Sequence, residues 1–403
     1  MNPTANRVRV GCYVDPITPL WATRSNIVIS KLLGADDIWF GDHAKAMFPS
    51  AAWNAKLSPM AKFIPSLDAF LDPTVVIAHS ARRSGTVMGT AVTDAVRRTP
   101  ADMARVWMSL HHLTGGRVVL GIGSGEFENI VPFGLSLERR VSRLEDTVVA
   151  IRAAWESAGT PLTHAGRFHT WKEATFALPA VRNSHPPIWI GAQGPRACRI
   201  AGSHGDGWIY ILGADLETWQ LAADQVLLGA REAGRDPNTM TRSIFFAPLL
   251  ARNAQAAEEL AHQPMVHAMM LTQPGTAWSA VGAEHPLGRD FAGFSELDPA
   301  VLTVERLADF GRHMPIDLIA QLIPLGRAED IVDRLSPFVE AGVNHIIIYS
   351  AATSMKGSLA AGALYEQRRL IRLLKSLSPG RFEGSESEPP AATQDRVVST
   401  PRR

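Results

Sequence analysis

Short apolar runs alternate along the chain with longer segments in which apolar residues recur every three or four positions. The short runs fall at residues 8–14, 37–40, 86–92, 118–122, 187–191, 207–211, 243–250 and 345–349. The longer amphipathic segments fall near 23–33, 73–84, 100–113, 138–158, 195–203, 216–232, 254–270 and 328–341, with a last one near 359–376. Apolar strands alternating with helices predict a parallel sheet covered by helices. Eight such units predict closure, because an open sheet would leave edge strands to be covered. The expected fold is α/β, a TIM (β/α)8 barrel spanning residues 1–377.

Three segments break the repeat, at about 44–71, 159–185 and 272–324. In barrel enzymes such insertions form lids or substrate walls, so all three are expected at the C-terminal face of the strands. Residues 378–403 are rich in Pro, Ser, Glu and Arg, which predicts a disordered tail.

Composition narrows the function. The 403 residues are 46% hydrophobic and 20% charged, the balance of a globular enzyme with a large core. A net charge of +1 gives no electrostatic case for nucleic acid. Cys12 and Cys198 are the only cysteines and lie far from any ligand spacing. This disfavours a zinc site or disulfide framework and predicts a reducing, cytoplasmic setting. No apolar run reaches eighteen residues, and residues 1–9 lack a signal-peptide core, so neither a membrane span nor secretion is expected.

Candidate chemistry gathers at strand ends. His43 follows Ile38-Trp39-Phe40-Gly41-Asp42 at the end of the second strand, where a side chain points into a barrel's mouth. A histidine there relays a proton near neutral pH, and Asp42 is placed to orient it. The structural alternative is a histidine capping the next helix beside a turn-forming Asp42. Glu126 ends the fourth strand after Gly121-Ile122-Gly123-Ser124-Gly125, a run that lets backbone approach a planar or phosphate-bearing ligand, and its carboxyl reads either as a general acid if burial raises its pKa or as a solvated carboxylate at a turn. The glycine spacing is not the dinucleotide fingerprint, and no helix is expected directly after it. Gly191-Ala192-Gln193-Gly194-Pro195-Arg196 leads from the fifth strand into a helix with proline in its first turn, a candidate anion site. Glycine also serves a tight turn there for steric reasons alone. Arg97-Arg98 reads either as a site for an anionic cofactor tail or, more commonly for paired arginines, as solvated charge outside the barrel, and His111-His112 as residues that pack and face solvent on a helix. No metal is expected, because no histidine has carboxylate or cysteine partners at ligand spacing.

Taken together, the motifs carry a resemblance. Trp39-Phe40-Gly41-Asp42-His43, Val92-Thr93-Asp94 with Arg97-Arg98-Thr99-Pro100-Ala101, and the run from Leu113-Thr114-Gly115-Gly116 through Gly123-Ser124-Gly125-Glu126 resemble the bacterial luciferase-like flavin and deazaflavin oxidoreductases. Pro187-Ile188-Trp189-Ile190-Gly191-Ala192-Gln193-Gly194-Pro195 with Gly205-Asp206-Gly207-Trp208 is similar to their cofactor-phosphate segment, and the likeness runs from about residue 7 to 377. Within that superfamily the details resemble the branch using coenzyme F420, a deazaflavin. In the last insertion, Trp278, Glu284-His285-Pro286, Gly288, Asp290-Phe291 and Gly293 resemble the phthiodiolone and phenolphthiodiolone dimycocerosate ketoreductases, which reduce a ketone on a waxy lipid.

The resemblance implies a luciferase-like TIM barrel with a cis peptide at Ala91-Val92 behind the deazaflavin. It implies that Asp42, His43, Asp94, Glu126 and Asn129 line the cofactor and that Ala192, Gln193, Gly194, Pro195 and Arg196 hold its phosphate. A homodimer is implied as well. The expected reaction is hydride transfer between the deazaflavin C5 and a small-molecule or lipid ketone, with His43 as proton donor and Glu126 as the alternative acid. The alternatives are an FMN-dependent monooxygenase on the same barrel and a deazaflavin-binding protein without catalysis. Lysines that would bind a sugar phosphate have no match near 209–213.

Overall fold

The computed structural model describes residues 7–46, 48, 53–211, 215–312, 314–350, 354–355 and 357–383. Eight parallel strands close into a barrel: β1 (Arg9–Val14), β2 (Asp37–Phe40), β3 (Val87–Thr90), β4 (Val118–Gly123), β5 (Ile188–Gly191), β6 (Gly207–Ile211), β7 (Thr241–Phe246) and β8 (His345–Tyr349). Each pairs with its sequence neighbours, β3 pairs with β4, and β8 pairs with β1 through Arg9↔His345 to Tyr13↔Tyr349, which closes the ring. These strands are buried almost throughout, which is why they read as near-continuous apolar runs.

The barrel interior is filled by large rings packed against glycines. Trp39 and Trp189 stack at 4.6 Å between centroids. A Cβ at Gly11 would lie 2.5 Å from Trp39 Nε1, and one at Gly207 would lie 2.7 Å from the Trp189 ring. Beneath the rings, at the strands' N-terminal ends, Asp37 Oδ1 accepts from Trp39 Nε1 at 2.6 Å and faces His345 Nε2 at 3.0 Å, while Arg9 donates to Asp37 Oδ2 at 2.7 Å. His345 Nδ1 meets Ser243 Oγ at 2.8 Å. A buried carboxylate is tolerable because each oxygen has a partner. This network closes the lower end, leaving the upper mouth for chemistry.

Several elements depart from the sequence expectation for local reasons. The strand expected at 243–250 stops at Phe246, since Pro248 has no N–H for a sheet ladder; Leu249–Leu250 pairs instead with Leu325–Gly326. The helix expected at 254–270 is two helices, Ala254–Ala261 and Pro264–Leu271, because Pro264 starts a helix well and continues one poorly. The third strand was expected to run through Val92; it ends at Thr90, the Ala91-Val92 peptide is cis, and pairing resumes at Thr93–Asp94 beside Ile122 and Gly123.

Two insertions rise over the C-terminal face as expected. Residues 44–71 and 272–324 share an apolar cluster that includes Phe48, Trp53 and Ile64 from the first and Leu297, Leu302 and Leu307 from the second. The third, 159–185, is corrected. It joins a helix to the strand after it, so both its ends lie at the N-terminal face. Its hairpin, Leu162–Ala165 with Thr170–Ala174, follows the outer flank of helix Arg140–Glu156, where Asp146 accepts from the backbone of Phe168 and His169 at 2.8 and 3.0 Å. The disordered tail expected from 378 also starts too early. Gly380 N donates to Val339 O at 2.9 Å, and Phe382 is buried against the Arg242 guanidinium and Trp219; residues 384–403 lie outside the described residues. Among the described residues, no helix is long and apolar enough to cross a membrane.

Candidate active site

The chain leaves β2 through Gly41, where a Cβ would sit 1.9 Å from the Tyr13 hydroxyl; only glycine passes. Asp42 and His43 follow. β4 leaves through Ser124-Gly125, with Gly125 at φ 94°, and Glu126 then caps a one-turn helix, Phe127–Ile130. That turn is the helix the sequence did not predict. It carries Glu128 and Asn129 back toward β2, and the two strand ends meet at His43.

His43 Nδ1 lies 3.4 Å from Glu128 Oε1 and 3.5 Å from Glu126 Oε2. Side-chain exposures of 16% for His43, 22% for Glu126 and 0% for Glu128 rank the three by access to the mouth. Asn129 joins them: its Nδ2 lies 3.3 Å from Glu126 Oε2 and 3.3 Å from Glu128 Oε1, and its Oδ1 accepts from the Ala44 amide at 2.7 Å. Burial favours neutral His43, but the hydrogen bond to Glu128 and the charges of Glu126, Glu128 and Asp15 outweigh it and raise its pKa to about 9. Burial and the Glu128 charge push Glu126 well above the usual carboxylate range, against the pull of His43. The site therefore holds an imidazolium between two unequal carboxyl groups. The ligand atoms of His43, Glu126 and Glu128 all lie within 4.8 Å of one another, a spacing that can hold a cation and that the sequence did not reveal. No metal is needed to explain the grouping, since the imidazolium and the Asn129 amide already supply charge and donors.

On the far side, Tyr349 donates to Asp15 Oδ2 at 3.0 Å, and burial raises the Asp15 pKa against the pull of the His43 charge. The Tyr13 and Tyr349 rings meet edge-on at 4.9 Å. Phe70 and Phe294, one from each upper insertion, stand 5.8 and 5.9 Å from the His43 ring. Both insertions thus wall the mouth with apolar rings.

Asp42 and Asp94 reach the same region but are engaged by neighbours. Asp42 Oδ2 accepts from Thr93 Oγ1 at 2.5 Å and lies 3.3 Å from Arg97 Nη2 and 3.6 Å from Arg98 Nη2. Asp94 accepts from the amides of Val96 and Arg97 at 2.8 and 2.7 Å and pairs closely with Arg97 Nε. Reading Arg97-Arg98 as solvated charge outside the barrel is therefore wrong: both are ion-paired behind the mouth, Arg98 also with Asp72 at 2.7 Å. Ala91 and Val92 pack on the interior cluster containing Trp39 and Trp189 and floor the mouth. Gly123 and Gly191 make room for Val92, since Cβ atoms there would lie 2.9 and 3.2 Å from its methyl groups.

The segment 192–196 divides. Ala192 is buried and its carbonyl accepts from Trp208 Nε1 at 2.8 Å. Gln193, Gly194 and Pro195 are exposed at the start of helix Pro195–His204, whose N-cap Gly194 gives no side-chain hydrogen bond. Arg196 turns to the adjacent helix, donating to Ser142 Oγ at 2.8 Å and Glu145 Oε2 at 3.1 Å. In the last insertion His285 is buried against Trp278 and Phe291, and its Nδ1 accepts from Leu287 N at 3.0 Å, so it shapes the wall.

A closed eight-stranded parallel barrel with an imidazole and carboxyl groups gathered at its C-terminal mouth defines a (β/α)8-barrel enzyme. Residues 31–345 match the family described as luciferase-like monooxygenase, and the chain belongs to that luciferase-like family. It is similar to a phthiodiolone/phenolphthiodiolone dimycocerosates ketoreductase of Mycobacterium kansasii, 33% identical over 365 residues that cover 89% of this chain and 99% of the relative. In fold it is similar to an F420-dependent secondary alcohol dehydrogenase solved with an F420-acetone adduct, with TM-score 0.68 and 19% identity over 92% of this chain and 100% of the other. It is also similar in fold to a long-chain alkane monooxygenase, with TM-score 0.63 and 13% identity over 95% of this chain and 94% of the other. The chain is an oxidoreductase.

Proposed function

We propose that this chain is a coenzyme F420-dependent ketoreductase acting on a lipid-type ketone. The observation that carries the reading is His43, held positively charged at an apolar mouth with Nδ1 turned to carboxyl groups. Its Nε2 makes no hydrogen bond among the described residues. The ketoreductase relative and the alcohol dehydrogenase of like fold support the reaction type.

The residues fit the cofactor. The Ala91-Val92 bulge offers a flat apolar floor, and the side-chain-free N-cap at Gly194 leaves helix amides for an anionic group. Gln193, Gly194 and Pro195 would hold the phosphate there, with Ala192 and Arg196 fixing the turn. Asp42 and Asp94 would support the ring's edge through Arg97. When bound, the deazaflavin supplies a hydride at C5. Negative charge develops on the substrate oxygen, and His43 Nε2–H stands ready to protonate it. Glu126, the more exposed carboxyl group, borders the substrate. Phe70 and Phe294 exclude water and suit an acyl chain.

A second reading, an FMN-dependent monooxygenase, is favoured by the family description and by the alkane monooxygenase of like fold. Fluorescence titration of the purified chain with F420 and with FMN separates the two. Tight F420 binding with weak FMN binding is expected; tight FMN binding without F420 binding would overturn the proposal.

A further inference from the structure

We infer that Glu128 is the positioning residue of the His43 donor: it grips Nδ1 from inside the protein and so turns Nε2 toward the substrate, leaving Glu126 as the carboxyl group that meets the substrate. The inference rests on the reductase reading of this site.

The two carboxyl groups lie at nearly equal distances from Nδ1, 3.4 Å for Glu128 and 3.5 Å for Glu126, yet differ in setting. Glu128 is wholly buried, with Oε1 3.4 Å from Nδ1, and its Oε2 has no hydrogen-bond partner among the described residues. A buried carboxylate with an unpaired oxygen costs stability unless its charge serves a neighbour. The neighbours it serves are His43 and Asn129. Asn129 cannot turn over, because Oδ1 is held by the Ala44 amide at 2.7 Å. Its Nδ2 group therefore faces Glu126 and Glu128, each at 3.3 Å, and stands 3.4 Å from His43 Nδ1; beside that donor, the Nδ1 proton of the imidazolium points at the carboxyl groups. Asn129 and Glu128 together fix the ring plane. Glu126 is not equivalent, since part of it is open to the mouth. The groups facing the ring are Glu126 and Glu128 from the β4 end, Asp15 from the β1 end, and the Tyr13 hydroxyl beneath Gly41. Of the acidic ones within 3.5 Å of Nδ1, only Glu128 is sealed from substrate.

The test compares Glu128→Gln, Glu128→Asp and the parent chain by two readouts. The His43 ring is titrated by NMR in full-length protein without cofactor, its resonance assigned with His43→Gln, and ketone reduction is measured with reduced F420. Glu128→Gln is expected to move the ring's midpoint down from about 9 by at least one unit and to lower kcat roughly 10- to 100-fold with little change in KM. Glu128→Asp, which keeps the charge, is expected to recover part of both. An unchanged midpoint in Glu128→Gln, whether or not kcat falls, overturns the inference. A parent chain that reduces no ketone overturns the reductase reading instead, while the titration still decides whether Glu128 holds His43.

Discussion

His43 keeps its charge against the cost of its own burial, and the sign of that balance determines how the enzyme responds to pH. Burial lowers its pKa, Glu128, Glu126 and Asp15 raise it, and the outcome is about 9. A folded-state pKa above the unfolded value means that this group's stabilisation is fully present below about 6.5 and is lost as pH rises through about 9. In the proposed reaction the same proton is the one given to the substrate oxygen. Ketone reduction should be level near neutral pH and fall above pH 9 as His43 discharges, with alcohol oxidation rising over the same range; a reduction rate that stays level well past pH 9 would count against His43 as donor. His43→Gln should lower kcat about 10²- to 10⁴-fold while F420 binding, read by fluorescence, stays near normal. Much of this site is legible in sequence, because His43 and Glu126 stand where barrel strands end. Glu128 is not: its burial depends on the turn Phe127–Ile130, too short to leave a periodic pattern. Nor is the Asp15 to Tyr349 bond, which joins residues 334 positions apart through barrel closure.

At the scale of elements, strands and helices of ordinary length follow the apolar period, and prolines explain two of the misjudged ones. Pro248 ends β7, and Pro264 divides a helix that reads as continuous. Glycine meaning is harder to read, because the close approach it permits involves another element. Gly11 illustrates this: in sequence it is an interruption in β1, whereas in the barrel it faces Asp37 Oδ1 and the Trp39 ring of β2. Gly11→Ala would place a carbon 2.1 Å from Asp37 Oδ1. The expected loss of stability is about 1–3 kcal/mol, read as a lower denaturant midpoint with unchanged slope. An unaltered midpoint would show that the two strands yield at that contact.

Across the whole molecule, polar groups divide between the two ends of one barrel. The lower end ties Arg9, Asp37, Ser243 and His345 into a closed network, while the upper end leaves His43 Nε2 without a hydrogen bond among the described residues, beneath two aromatic-walled insertions. Connection order explains why 44–71 and 272–324 wall the mouth and 159–185 does not: the first two lie between a barrel strand and the helix that leads to the next strand, whereas 159–185 lies between a helix and the strand it enters. Sequence pattern locates an insertion by its irregularity, but the end of the barrel it reaches depends on that order. The arrangement suits the proposed transfer between a planar cofactor on the Ala91-Val92 floor and an apolar ketone under Phe70 and Phe294.

Hydride transfer to carbon is the central claim, and isotope transfer tests it most directly. Reduced F420 carrying two deuterium atoms at C5 would be mixed without oxygen with the chain and a long-chain ketone, and the product analysed by mass spectrometry. One deuterium on the carbinol carbon is the predicted result. An unlabelled alcohol, or turnover only when FMN and oxygen are supplied, would contradict the account.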